Sequence, residues 1–308
     1  MRLTYRITEA DQGRRAGRVA AQAFHLSAGD LARLKRENGL MADGQPCRQT
    51  DRVRAGQLLA VDLPDRPASP GETPGWIIYE DAALCVINKP AGLPTMRSGR
   101  GDASLQQLYE AQRGPFRPVS RLDKGTGGLM AAAATGYTQH LLSGALHTDR
   151  MIREYYALVA GRMIPDAGRI DLPIGRRPGS VNLRAVSPDG KPSVTWYRTV
   201  WTGQTCSCLR LRLLTGRTHQ IRVHLSALGH PIIGDPLYGA PSADFPDALA
   251  LHSAYLFLTH PLTGERLAFR SLPDWAAYIT AAERFPAPPW PCAPASGRPQ
   301  PPGRSPAP

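Results

Sequence analysis

Apolar residues recur at helical spacing over Gly17–Phe24 and Ala28–Glu37, and the second run places Leu31 and Leu34 on one face behind Ser27 as N-cap. Gly39–Gly44 reads as a strand entering a tight turn, and Val53–Gly56 leads into an apolar strand, Leu58–Leu63. From Trp76 onward a period of two dominates. Strands are predicted over Trp76–Tyr79 and Leu84–Asn88 around a Glu80-Asp81 turn, then over the alanine-rich stretch Leu129–Ala134. Glu154–Gly161 sends Tyr155, Ala157 and Val159 to one side and Tyr156, Leu158 and Ala160 to the other. Val194–Val200 is a further strand. Leu209, Leu211 and Leu213 alternate with Arg210 and Arg212 as a half-buried one, and Leu249–Leu258 is the last. Helical periods return at Ser104–Gln112, at Tyr137–Leu146, after Thr218 as a capping residue, and at Trp275–Ala282.

Two stretches break these patterns. Pro64–Gly75 holds four prolines and two glycines and reads as a linker. Ten of the 23 residues from Pro286 to Pro308 are proline, a composition expected to be disordered. The predicted organisation is therefore a small unit at 1–65, a linker at 66–75, a large domain at 76–285 and a tail at 286–308.

Charge narrows the class of partner. The formal net charge is +12, which suits a polyanion, although 33 Arg against 4 Lys also fits a compositional bias of the genome. Hydrophobic residues make up 42% of the chain, and no apolar run approaches the ~18 residues of a membrane span. The N-terminus lacks a signal-peptide core, so a cytoplasmic protein is expected. Five cysteines, an odd number, point to thiols rather than a disulfide framework. His219 and His224 lack the spacing and the glutamate of a zinc-binding helix, so no metal is assigned.

The candidate chemistry lies in Arg121-Leu-Asp-Lys-Gly-Thr-Gly-Gly-Leu129. Asp123 stands between two cations and ahead of three glycines, the setting of a nucleophile or base, and equally of an ordinary Asp-Gly turn. Neither a dinucleotide fingerprint nor a phosphate loop is present.

Four ordered motifs carry a resemblance. Ile78–Leu93, Arg121–Leu129, Arg153–Gly161 and Leu214–His224 together resemble the RluA-type RNA pseudouridine synthases, and Gly229–Gly239 and Leu251–Pro261 extend the likeness. Residues 14–65, with Arg33, Lys35 and Arg36 on the second helix, are similar to the small alpha-L RNA-binding domain appended to many RNA-modifying enzymes. The resemblance implies an α+β fold: a mixed, largely antiparallel sheet with flanking helices and a central cleft. Few of the predicted helices are long enough for crossovers, which agrees. Two positions depart from the family pattern, Ser120 where His is usual and Gly127 where Ser is usual.

The implied reaction breaks the uracil–ribose bond, turns the base and rejoins it through carbon 5, so no redox cofactor or group donor is required. By resemblance, Asp123 is the catalytic carboxylate. Three routes are open to it: attack on carbon 6 of the base, abstraction of a ribose proton, or trapping of the sugar carbon. Arg217 is the expected ionic partner that offsets the cost of burying that carboxylate. Tyr155 is expected to stack on the uracil, Arg121 to fill the space left by the extruded nucleotide, and Ile221 to line the pocket. The expected partner is RNA, ribosomal large-subunit RNA before tRNA, bound by a monomer. The other readings are a non-catalytic RNA-binding or ribosome-assembly protein on the same scaffold, and a DNA-binding protein.

Overall fold

The computed structural model describes residues 2–26, 28–62, 74–97, 103–180, 182–239, 242 and 249–279. Ser27, most of the linker and the Pro-rich tail lie outside the described residues. The N-terminal part is a four-stranded antiparallel sheet in the order β1-β4-β2-β3, formed by β1 (Arg2–Arg6), β2 (Leu40–Ala42), β3 (Gln45–Pro46) and β4 (Leu58–Asp62). Helices α1 (Ala16–Ala23) and α2 (Ala28–Glu37) pack against it. Ile7, Val19, Phe24, Leu34, Leu59 and Val61 give this part a hydrophobic core of its own. β1 was not among the predicted elements. It is short and charged at both ends, and only pairing with β4 makes its alternation a strand.

The rest of the chain builds on a nine-stranded mixed sheet, counted among the described residues, in the order β5-β6-β7-β14-β8-β13-β12-β9, with β15 added beside β14. Its strands are β5 (Ile77–Glu80), β6 (Leu84–Lys89), β7 (Gly127–Ala133), β8 (Met151–Ala160), β9 (Ala167–Asp171), β12 (Val194–Thr202), β13 (Cys206–Leu213), β14 (Leu251–Thr259) and β15 (Arg266–Arg270). All pairings are antiparallel except β7 with β14. A separate hairpin, β10 (Ile174–Arg176) with β11 (Arg184–Val186), projects beside the sheet. Helices α3 (Leu105–Arg113), α4 (Gly136–Ala145) and α5 (Gln220–Ala227) flank it. Ser104 caps α3 by accepting from the Gln107 N–H, and Thr135 caps α4.

The central strands are apolar on both faces because core lies on each side. Tyr155, Tyr156, Ala157, Leu209 and Leu211 enter one cluster, while Leu84, Val86, Leu129 and Leu256 enter another with Leu142 of α4. The N-terminal part meets the large sheet through α4, where Tyr137 packs on its core and His25 stacks on His140 with ring centroids 3.4 Å apart.

Two elements differ from expectation. The closing helix predicted from Trp275 is a single 3-10 turn, Ala276–Tyr278, within the described residues, and positions 280–282 fall outside them. The cap of α5 is His219, in left-handed backbone at φ 58°, and not Thr218. The hairpin β10–β11 and strands β9 and β15 also lie beyond the predicted set. They are short and rich in Arg and Gly, and their partners rather than their own composition make them strands.

Candidate active site

Asp123 sits in the loop just before β7, and close approaches hold that loop. The Thr95 hydroxyl donates to the Leu122 carbonyl at 2.6 Å, and the Leu122 N–H donates back to it at 3.2 Å. The Thr126 N–H closes a turn onto the Asp123 carbonyl at 3.1 Å. Gly128 has φ +104°, and a β-carbon there would lie 2.2 Å from the Ser253 carbonyl oxygen, so only glycine lets β7 reach β14. At Gly127 a β-carbon would meet His252 Nδ1 at 3.3 Å, so a side chain there requires a small shift of that ring.

Beneath the loop, Lys89 is buried at the end of β6. Its ammonium donates to the carbonyls of Pro90 at 2.8 Å, Leu93 at 2.6 Å and Lys124 at 3.3 Å. Burial pulls its pKa down to about 8, against the opposing pull of Asp123. Lys89 thus ties the entry turn to the residue after Asp123.

The carboxylate's ion pair is made by Arg222 and not by the expected Arg217. Arg222 Nη1 donates to Asp123 Oδ2 at 2.9 Å, while its Nε and Nη2 both donate to Asp235 at 2.8 Å. Asp235 is fully buried, and its Oδ1 also accepts from the Leu237 and Tyr238 N–H groups. Burial alone would raise the Asp235 pKa, but Arg222 and these donors hold it below the usual carboxylate range. Burial works against the Arg222 charge as well, and the two carboxylates more than offset it. The guanidinium is therefore a fixed cation between the buried Asp235 and the partly exposed Asp123.

Asp123 keeps 27% of its side chain exposed. Its Oδ1 has no hydrogen-bond donor among the described residues; His219 Nε2 is 3.9 Å away, and burial first of all keeps that imidazole's pKa low. One carboxylate oxygen is thus held and the other faces the cleft.

That cleft encloses about 550 Å3, a size suited to a small organic group. Asp123, Arg121, Tyr155 and Arg217 all line it. Tyr155 projects from β8 with Ser253 within hydrogen-bonding reach of its hydroxyl, and burial pushes its phenol pKa up. An adjoining recess of about 60 Å3 adds Ile221, Arg222 and Leu251 to the walls around Asp123 and Tyr155. Arg217 is half-buried at the rim, with its Nε donating to the Pro192 carbonyl at 3.2 Å. Ser120 also lines the cleft. Arg33, Lys35 and Arg36 stand apart on α2, where Arg33 pairs with Glu37 at 2.9 Å and the other two are exposed. His224 is a core residue, bonded to Thr195 Oγ1 and to the Leu172 carbonyl.

A model of the RNA pseudouridylate synthase family matches residues 83–227, which include Asp123, Tyr155 and Arg222. Ribosomal large subunit pseudouridine synthase D of Yersinia pestis is 35% identical over 301 residues, spanning 89% of this chain and 92% of that protein. The chain belongs to the RluA-type RNA pseudouridine synthases. An uncharacterised RNA pseudouridine synthase of Bacillus subtilis, YjbO, is 38% identical over 232 residues, covering 71% of this synthase and 81% of the relative. Among solved structures, human RNA pseudouridylate synthase domain containing 1 superposes with a TM-score of 0.53 at 26% identity, over 67% of the synthase and 89% of the human chain.

This synthase acts on RNA, and no helix among its described residues is long and apolar enough to cross a membrane. The site residues missed from sequence were Arg222, Asp235 and Lys89. The signal for Arg222 was present: it stands in Ile221-Arg-Val-His-Leu225, every member of which is buried in α5, and a buried arginine requires an acidic partner.

Proposed function

We propose that the synthase isomerises uridine in large-subunit ribosomal RNA, with Asp123 as the catalytic carboxylate. The observation that carries this is the half-held state of Asp123. Arg222 keeps the carboxylate charged and oriented, while Oδ1 faces a nucleotide-sized cleft beside Tyr155. Tyr155 packs against the uracil, Ile221 forms part of the inner wall, and the exposed Arg121 enters the space left by the extruded nucleotide. Arg217 contributes from the rim, as a contact to the RNA rather than as the partner of Asp123.

The ribosomal reading is supported by relatives named ribosomal large subunit pseudouridine synthase D that match nearly their whole length, the N-terminal part included. Residues 1–65 act as an RNA-binding domain, with Lys35 and Arg36 as its exposed phosphate contacts and 76–285 as the catalytic domain. A second groove shares Arg217 with the cleft, is lined by Arg176, Arg184 and Lys191 together with Asp189, and suits the backbone of a longer strand. We take the protein to act as a monomer, and a ribosomal substrate implies the cytoplasm.

The test is release of tritium from RNA labelled at carbon 5 of uridine, with ribosomal RNA, precursor particles and tRNA offered separately. Release from ribosomal RNA by the wild type, reduced to background in Asp123→Asn with RNA affinity changed by less than about tenfold, is expected. Release from tRNA alone would refute the ribosomal assignment, and full activity of Asp123→Asn would refute the catalytic one.

A further inference from the structure

Arg153 is a buried cation that the assignment above does not use. It leaves β8 two residues before Tyr155, so both side chains project to the same face, about 6.8 Å apart along the strand. The residue is only 6% exposed. Its Nη2 donates to the Leu146 carbonyl at 3.3 Å, and its buried Nε meets no acceptor among the described residues. No described carboxylate forms an ion pair with it. Glu154 points to the opposite face and binds Arg210, and Asp123 is held by Arg222. A guanidinium in this position is costly without an anion.

The surroundings keep a place open for one. Arg153 lines the same cleft as Asp123 and Tyr155, beside His147. Gly216 passes over it: a β-carbon at that position would lie 3.4 Å from Arg153 Nη1 and 3.8 Å from His147 Cε1. Any larger residue at 216 would cover the guanidinium from the side on which Arg217 stands at the rim. Desolvation first, and then the charge of Arg153, keeps the His147 pKa low, which disfavours a second cation beside the guanidinium. The spacing along β8 sets a cation one nucleoside's reach from the tyrosine that packs on the base.

We propose that Arg153 binds a backbone phosphate adjoining the target uridine, making the inner end of the cleft an anion subsite that seats the extruded nucleotide. This rests on the reading that the Asp123–Tyr155 cleft receives that uridine. The subsite contacts the substrate throughout the reaction, so its loss falls mainly on KM and leaves the chemistry at Asp123 in place.

The test uses the full chain and a uridine-containing stem–loop RNA on which the wild type turns over. In a second and a third RNA, the phosphate on either side of the target uridine is replaced by an uncharged methylphosphonate. One of the two replacements is expected to lower wild-type kcat/KM about 10- to 100-fold, the worth of a hydrogen bond to a charged group. Arg153→Met should lose as much on the unmodified RNA and nothing further on that methylphosphonate RNA. Arg153→Lys should regain part of both the activity and the sensitivity. Removing an unpaired buried charge should leave the melting temperature of Arg153→Met at or above that of the wild type. Undiminished methylphosphonate sensitivity in Arg153→Met, or a wild type indifferent to both replacements, would overturn the subsite alone. Full turnover by Asp123→Asn would overturn the cleft reading on which it rests.

Discussion

Replacing Arg222 by Met separates the two arginines that sequence presents as equals. Methionine is of similar reach but has neither charge nor donors. In the structure Arg222 makes three charge-assisted hydrogen bonds, two of them to the fully buried Asp235. After the substitution Asp235 retains, among the described residues, the N–H groups of Leu237 and Tyr238. Stranding one partner of such a pair costs about 3–5 kcal/mol. Asp123 adds little to this because more than a quarter of its side chain remains in solvent. At about 2–4 °C per kcal/mol for a domain of this size, the melting temperature should fall by roughly 6–20 °C. Arg217→Met removes a half-buried side chain whose guanidinium donates to a single carbonyl among the described residues, Pro192, and should cost no more than about 1 kcal/mol. Thermal melts followed by near-ultraviolet circular dichroism at pH 7 make the comparison. Adding Asp235→Leu to Arg222→Met removes the stranded charge, so most of the stability should return while turnover does not, since Asp123 is still unheld. Equal losses of stability in the two single variants would refute this account of the site.

Gly128→Ala should destabilise by more than about 2 kcal/mol, because the added carbon meets the Ser253 carbonyl at 2.2 Å in left-handed backbone, and chemical denaturation measures it. Gly144→Ala, on α4 with nothing within 4 Å of the new carbon, should instead stabilise by about 0.8–1.0 kcal/mol in the same assay. Burial holds the His252 pKa at about 4 against the favourable charge of Asp274, well under its ordinary 6.5. Protonation therefore favours the unfolded chain, and this contribution is whole above pH 6.5 and lost as pH falls towards 4. His252→Gln should flatten melting temperature against pH in that window, and an unchanged slope would remove His252 as a cause. Replacing Arg176, Arg184 and Lys191 together by Gln should lower RNA affinity and reduce its logarithmic salt slope by up to about 2.1, measured by filter binding; an unaltered slope would show that the groove does not carry the strand.

The chain determined much of this protein locally. Period-two runs such as Glu154–Gly161 identified the central strands, and Tyr155 faces the cleft as its alternation requires. The glycines of Arg121–Leu129 were legible as the mark of a close backbone approach, and Gly128 against Ser253 is one that no other residue permits. What remained hidden depends on partners distant in the chain. Arg217 and Arg222 are five residues apart in one basic motif, and nothing local says which reaches a carboxylate 99 positions from Arg222. The left-handed turn at His219 decides it: the helix begins at Gln220, leaving Arg217 on the rim and carrying Arg222 inward. Lys89 likewise reads as part of an exposed Lys-Pro-Ala-Gly turn, yet the loop around Asp123 closes over it and makes it a buried tie. Arg153 has the same history. In sequence it is one more arginine among 33, and only the packing of β8 beneath Gly216 leaves it buried without an acidic partner among the described residues. Hydrophobic periodicity reports how a side chain is oriented on its own element, whereas the pairing of charges depends on which elements pack together, and that is a property of the folded chain.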